Sequence, residues 1–149
     1  MKKIILALAA AAVVIFSGCS KRTGGVETAR RTVLVYMAAR NSLSDEAYAN
    51  LSGMAQGYKD AGVSDSDNLI VYFDAIGENP KLVRVDSRGV HTLKTYPQRN
   101  SCTPEALAGV IGETLAMFPA LDYGLVLWSH GTGWAPADFP LSSVSPRTA

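Results

Sequence analysis

Apolar positions along the chain follow two rhythms, and their alternation outlines an α/β fold. Residues 32–37 form a short continuous apolar run rich in β-branched side chains. Such a run predicts a strand buried on both faces, as in a parallel sheet. Tyr48, Leu51, Met54, Ala55 and Tyr58 then recur at the spacing of one helix face. Ser42 and Ser44 are candidate N-caps, Asp45 and Glu46 suit the positive end of that helix, and Gly62 is a plausible stop. A second apolar run at residues 69–73 predicts another buried strand, with Asp74 at its carboxyl end. Strand, helix, strand is the signature of a right-handed βαβ unit.

Two further runs, residues 82–85 and 90–93, flank Asp86-Ser87-Arg88-Gly89 and read as a hairpin at the edge of the main sheet or outside it. Thr103-Pro104-Glu105 combines a cap, a proline at the first helical position and an acid in the first turn, a strong helix start. Leu107, Val110, Ile111, Leu115 and Phe118 supply its apolar face, and Pro119 ends it. Residues 124–128 predict a third buried strand, whereas residues 135–149 carry Pro and Ser without period and read as a disordered tail. Three buried parallel strands with crossover helices imply a three-layer α/β sandwich, mostly parallel. Sheets of this kind usually carry more strands, so the domain reads as incomplete at its C-terminal side.

The first residues follow another logic. Lys2 and Lys3 precede an apolar run, residues 4–16, that is too short to span a bilayer comfortably. Ser17-Gly18-Cys19 follows, and residues 1–18 read as a secretory signal peptide. Its end resembles a bacterial lipobox, which implies cleavage before Cys19 and a diacylglycerol on its thiol. An ordinary signal peptide cut nearby and a short membrane anchor are the alternatives. Residues 19–31 are polar, contain Gly24-Gly25 and read as a flexible tether. Ser20 after the lipidated cysteine implies, by resemblance to lipoprotein sorting, the outer membrane or the cell surface.

Composition narrows the picture. The chain has 149 residues, 48% hydrophobic and 18% charged, enough for one domain with a genuine core. Its net charge is +1, and removing Lys2 and Lys3 makes it −1. No basic field exists to attract nucleic acid. Lipidation of Cys19 leaves Cys102 as the sole thiol, so no internal disulfide forms and the domain stands on its core.

Ser129-His130-Gly131-Thr132-Gly133-Trp134 follows the third strand directly. Open α/β sheets bind ligands outside the carboxyl ends of their strands, so His130 sits where an imidazole can act as a general acid and base. Gly131 and Gly133 permit close approach of substrate, and the Gly131 amide is placed to donate to an oxyanion. On local pattern alone the signal is weak, and a strand-end turn with a surface histidine accounts for these residues better.

Three segments carry a family resemblance. Val33-Leu34-Val35-Tyr36-Met37-Ala38-Ala39 with Asn41 and Leu43 looks like the first strand of the clostripain-like cysteine peptidases. Asn100-Ser101 with Thr103-Pro104-Glu105-Ala106-Leu107 is similar to the segment leading into the helix before their catalytic strand. Tyr123 through Trp134 looks like the catalytic-histidine strand and turn itself. The resemblance implies a caspase-like fold over residues 32–134, a Cys–His dyad, a peptide or protein substrate and cleavage after Arg or Lys. His130 matches the dyad histidine and Gly131 the glycine of the oxyanion hole. The family's nucleophile lies at the end of the next strand, which has no counterpart in this sequence. Without it, the chain as given is expected to be inactive. No cofactor is required for the chemistry, and calcium enters only as something the family allows.

Departures from the family's pattern are Arg40, where an acid is usual, and Ser129, where an acid is common. Cys102, just before a helix N-terminus, is an alternative nucleophile, but it precedes His130 whereas the family's cysteine follows the histidine. His91, with no second ligand at metal spacing, reads as a solvated strand histidine. Asp74 reads as a solvated or capping carboxylate, with orienting a partner or lining the cleft as the alternative. Trp128 and Trp134 bracket His130 and read as packing around the turn. A non-catalytic, lipid-anchored α/β binding module is the rival reading, and a remnant that does not fold stably is a third.

Overall fold

The β-branched run of the first strand and the L-I-V-Y-F run of the second become the centre of one sheet. The computed structural model describes residues 28–62 and 66–131. The signal peptide, Cys19, most of the tether, Trp134 and the 135–149 tail lie outside the described residues. The elements are β1 (Ala29–Ala39), α1 (Ser44–Asp60), β2 (Asp67–Ala75), β3 (Lys81–Asp86), β4 (Gly89–Thr95), α2 (Pro104–Met117) and β5 (Ala120–Trp128).

The five strands form one sheet in the order β4-β3-β2-β1-β5. β1 runs parallel to both β2 and β5. β3 and β4 extend the sheet antiparallel beyond β2. The hairpin expected at the edge or outside is therefore an integral edge of the main sheet, turned by Gly89 at φ +121°, a conformation that glycine adopts without strain. β1 begins at Ala29 rather than Thr32, so Arg30 and Arg31 belong to the sheet rather than the tether. Arg31 stands opposite Asp67 on one side and Asp122 on the other, and Arg30 ion-pairs with Asp67 at 2.5 Å. The two basic residues are drawn into the strand by acids at the starts of β2 and β5.

Alternation along β1 and β2 sends side chains to two separate cores. Val35, Met37, Val71 and Phe73 pack with Ala47, Leu51 and Tyr58 of α1. Leu34, Tyr36, Ile70 and Tyr72 pack on the other face with Val110 of α2 and Tyr96. The sandwich is helix, sheet, helix, as expected of an α/β chain, and the sheet is mixed. α2 starts as its sequence dictates: Thr103 Oγ1 accepts from the Ala106 amide at 3.2 Å, with Pro104 at the first helical position. α1 does not. Neither Ser42 nor Ser44 caps it, and its N-cap is Leu43 without a side-chain bond.

β5 is the exception to burial. Among the described residues it pairs with β1 along one side only, and its apolar side chains stay open: Leu121 is 78% exposed, Leu125 47% and Leu127 66%. A nine-residue strand with a free edge and two apolar faces is what an uncovered sheet boundary looks like. This agrees with the incompleteness expected on the C-terminal side. Among the described residues no helix is long and apolar enough to cross a membrane.

Candidate active site

The three parallel strands end at one rim. Ala38 of β1 lies opposite Asp74 of β2, and Met37 lies opposite Trp128 of β5. The chain leaves β5 through Ser129 to His130, beside the loop that leaves β1. Ser129 Oγ donates to the Ala38 carbonyl at 2.8 Å, fixing the first residue of the turn to the neighbouring strand. Asn41 Nδ2 donates to the same carbonyl at 3.2 Å and lies 3.4 Å from Ser129 Oγ. His130 Nε2 lies 2.9 Å from Ser42 Oγ. A serine where the family often carries an acid thus ties β5 to β1.

His130 and Gly131 are exposed and line a cavity of about 470 Å³. Trp128, Tyr36, Cys102 and Pro104 form part of its wall, so it lies between the end of β5, the end of β1 and the N-terminus of α2. The Cys102 thiol is free and exposed on the same cavity. Among the described residues no hydrogen bond joins it to His130, and its backbone amide donates to Asn100 Oδ1 at 2.9 Å. Trp128 is half-buried and packs against the α1-side core, as expected, while also facing the cavity.

Asp74 is not a solvated carboxylate. It is 2% exposed and receives Ser101 Oγ at 2.5 Å and Arg40 Nε at 2.9 Å. A carboxylate that leaves water needs such partners, and Arg40 is the charge that offsets it. Arg40 also donates to the Glu78 carbonyl at 2.6 Å, clamping the β2–β3 turn. Asp74, Arg40, Arg99 and Ser101 line a second, smaller cavity of about 150 Å³, so its cleft-lining alternative is the one realised.

Ser101 is the centre of a buried polar cluster. Tyr36 Oη donates to its carbonyl at 2.9 Å, and Tyr72 Oη lies 2.7 Å from its Oγ. The Tyr36 and Tyr72 rings stack at 4.5 Å, and Arg99 lies 4.1 Å over Tyr96 while its Nε donates to Tyr72 Oη at 3.0 Å. Burial, reinforced by the neighbouring Tyr72, pushes the Tyr36 phenol up to about 12, so it stays a neutral donor. Ser42, Asn41, Ser101, Tyr72 and Arg99 were not expected from the sequence to support the site. The signal was Asn41-Ser42 in the loop just past the carboxyl end of β1, a position that the helix-cap reading of Ser42 obscured.

His91 lies at the far end of the sheet, with Nε2 3.0 Å from Asp86 Oδ1; it is half-exposed and paired rather than merely solvated. Among the described residues no three His, Cys, Asp or Glu side chains gather as a metal ion would need.

A helix–sheet–helix sandwich with a histidine held at the rim of its parallel strands is the arrangement of cysteine peptidases of caspase-like fold. The chain belongs to the clostripain family, whose sequence pattern matches residues 35–145. A cysteine protease of B. fragilis is 38% identical with a TM-score of 0.65, the match covering 74% of this chain and 97% of that one. An inactive zymogen C11 protease from Parabacteroides distasonis is 40% identical with a TM-score of 0.67, over 75% of this chain and 34% of that one. A secreted C11 cysteine protease from Bacteroides thetaiotaomicron, solved with an irreversible peptide inhibitor, is 41% identical with a TM-score of 0.64, over 76% of this chain and 32% of that one. The chain therefore spans about a third of two of these relatives and nearly all of the other. No curated protein matches the chain.

Proposed function

We propose that this chain supplies the histidine half of an exported cysteine endopeptidase that cleaves peptides after Arg or Lys. The observation that carries the reading is His130, tied to Ser42 at 2.9 Å on the rim of a 470 Å³ cavity. The nucleophilic thiol comes from a further strand seated on the open side of β5. In the reaction that thiol passes its proton to His130 and attacks the scissile carbonyl. The imidazolium then gives a proton to the leaving amine, and the Gly131 amide donates to the oxyanion. The secreted relative with a bound peptide inhibitor supports both a peptide substrate and export. Cys19 is the lipid attachment point that holds the protein at the outer membrane or the cell surface. The thiol–imidazole chemistry itself requires no cofactor.

By itself the chain turns over no substrate, because Cys102 precedes α2 and makes no bond to His130. A binding module without chemistry is the second reading, favoured by the same lack of a bonded thiol. The test is cleavage of arginyl and lysyl peptides by the chain alone and by the chain complemented with the remainder of a 40%-identical relative. Turnover is expected only on complementation, falling about 10²- to 10⁴-fold in His130→Ala. Turnover by the chain alone, stopped by alkylating Cys102, moves the nucleophile to Cys102. Peptide binding without cleavage in every arm favours the binding module. Wild-type cleavage by complemented His130→Ala sinks the peptidase reading.

A further inference from the structure

Ser42 is the one described side chain that hydrogen-bonds the His130 ring, and it is held by a loop with little freedom. On one side of it, Asn41 Oδ1 accepts from the Leu43 amide at 2.9 Å and Asn41 Nδ2 donates to the Ala38 carbonyl at 3.2 Å. On the other, Ser44 Oγ accepts from the Ile76 amide at 2.8 Å, and the Ser44 amide donates to the Asn41 carbonyl at 3.2 Å. The loop is thus pinned to the ends of both β1 and β2. Its serine contributes no helix cap, so the hydroxyl's polar partner is the imidazole. Nδ1 of the ring is left without a protein partner among the described residues.

We propose that Ser42 is a positioning residue for His130: Ser42 Oγ accepts the Nε2–H, fixing the tautomer whose lone pair lies on Nδ1. This rests on the peptidase reading of His130. The thiol proton then passes to Nδ1, giving an imidazolium with N–H bonds at both nitrogens. The Nε2–H stays on Ser42 throughout, and Nδ1 returns its proton to the leaving amine. A hydroxyl oxygen can accept the Nε2–H in both states, and that hydrogen bond strengthens when the ring is charged. Ser42 touches neither substrate nor the reacting atoms; it acts through the ring.

The chain has two histidines, which makes the test direct. Long-range ¹H–¹⁵N spectra of the full chain resolve two imidazoles, and His91, held by Asp86 at 3.0 Å, is the internal reference. The wild-type neutral His130 ring is expected with its proton on Nε2. Ser42→Ala should move His130 alone toward the mixed tautomers of a free imidazole, and Ser42→Thr should restore it, with the melting temperature unchanged in both. In the complemented peptidase, Ser42→Ala should lower kcat about 10- to 100-fold at unchanged KM, and Ser42→Thr should recover it. A His130 spectrum indifferent to Ser42→Ala, a neutral ring protonated on Nδ1, or a kcat untouched by a variant that shifts the spectrum overturns the proposal. Failure of the peptidase reading shows separately, as undiminished cleavage by His130→Ala, whatever the spectra report.

Discussion

Ser101 Oγ donates to Asp74 Oδ2 at 2.5 Å, joining the end of β2 to the turn that opens α2. The bond lies at the head of a chain of contacts. Arg40 holds the other carboxylate oxygen, while Tyr72 and Tyr36 hold the two oxygens of Ser101. The cavity wall at Ser101-Cys102 is therefore set by buried polar groups rather than by packing alone. Such clusters are rigid when every member is satisfied and costly when one is removed.

Asp74→Ala should accordingly destabilise the domain by about 2–3 kcal/mol, since it strands Arg40 and the Ser101 hydroxyl together. Arg40 is 34% exposed and regains some water, which keeps the loss below that of a fully buried pair. Asp74→Asn keeps an acceptor for Ser101 and should lose less. Urea denaturation of the two variants measures both, and a loss under about 1 kcal/mol for Asp74→Ala contradicts the account.

How much of this was legible in the sequence depends on what each residue answers to. Local and periodic signals carried: the runs around Val35, Val71 and Val126 became strands, Thr103-Pro104 became a helix start, and the position of His130 after β5 followed from chain order. Long-range polar pairing did not carry. Arg40 reads as a departure from the family until Asp74 is seen across the sheet, and Ser42 reads as a cap until β5 brings His130 beside it, 88 positions away. Nothing in a one-dimensional pattern distinguishes a serine that caps its own helix from one that serves another strand.

Thr103 offers a direct measure of one local signal. Its Oγ1 accepts from the Ala106 amide at 3.2 Å and closes the first turn of α2 on the cavity. Thr103→Ala should cost about 1 kcal/mol, and Thr103→Ser should retain most of the stability. Thermal melts of both decide it; equal losses mean that the methyl group, not the hydroxyl, carries the effect.

Asp86 contributes to the acid limb of stability. Its burial works to raise the carboxyl, but hydrogen bonds from the Arg88 side chain and backbone and from His91 outweigh it and hold the group at about 2, below the usual 3.8. A carboxylate depressed in the folded state stabilises the fold above its unfolded value and loses that contribution as pH falls through the folded value. Asp86→Asn should therefore melt lower than wild type at neutral pH, and the gap should narrow between about pH 4 and pH 2. Melting curves across that range test it. A gap that stays constant assigns the cost of Asp86→Asn to shape rather than charge.

The exposed strand β5 is open to a partner. Leu125 of β5 is 47% exposed, and among the described residues β5 has a hydrogen-bonded neighbour on one side only. An apolar strand with an unpaired edge recruits another strand, whether from a completing half of a peptidase or from a second copy of itself. The chain alone should self-associate, and Leu125→Glu should shift sedimentation velocity profiles to monomer. Because the leucine is already half in water, that change should cost the chain itself only about 1 kcal/mol. It should nevertheless abolish complementation, since Leu125 stands on the apolar α2-side face that the completing half must cover, where a carboxylate has no partner. A Leu125→Glu chain that complements as well as wild type means that the completing strand does not seat on β5, and the thiol facing His130 must then reach the cavity from elsewhere.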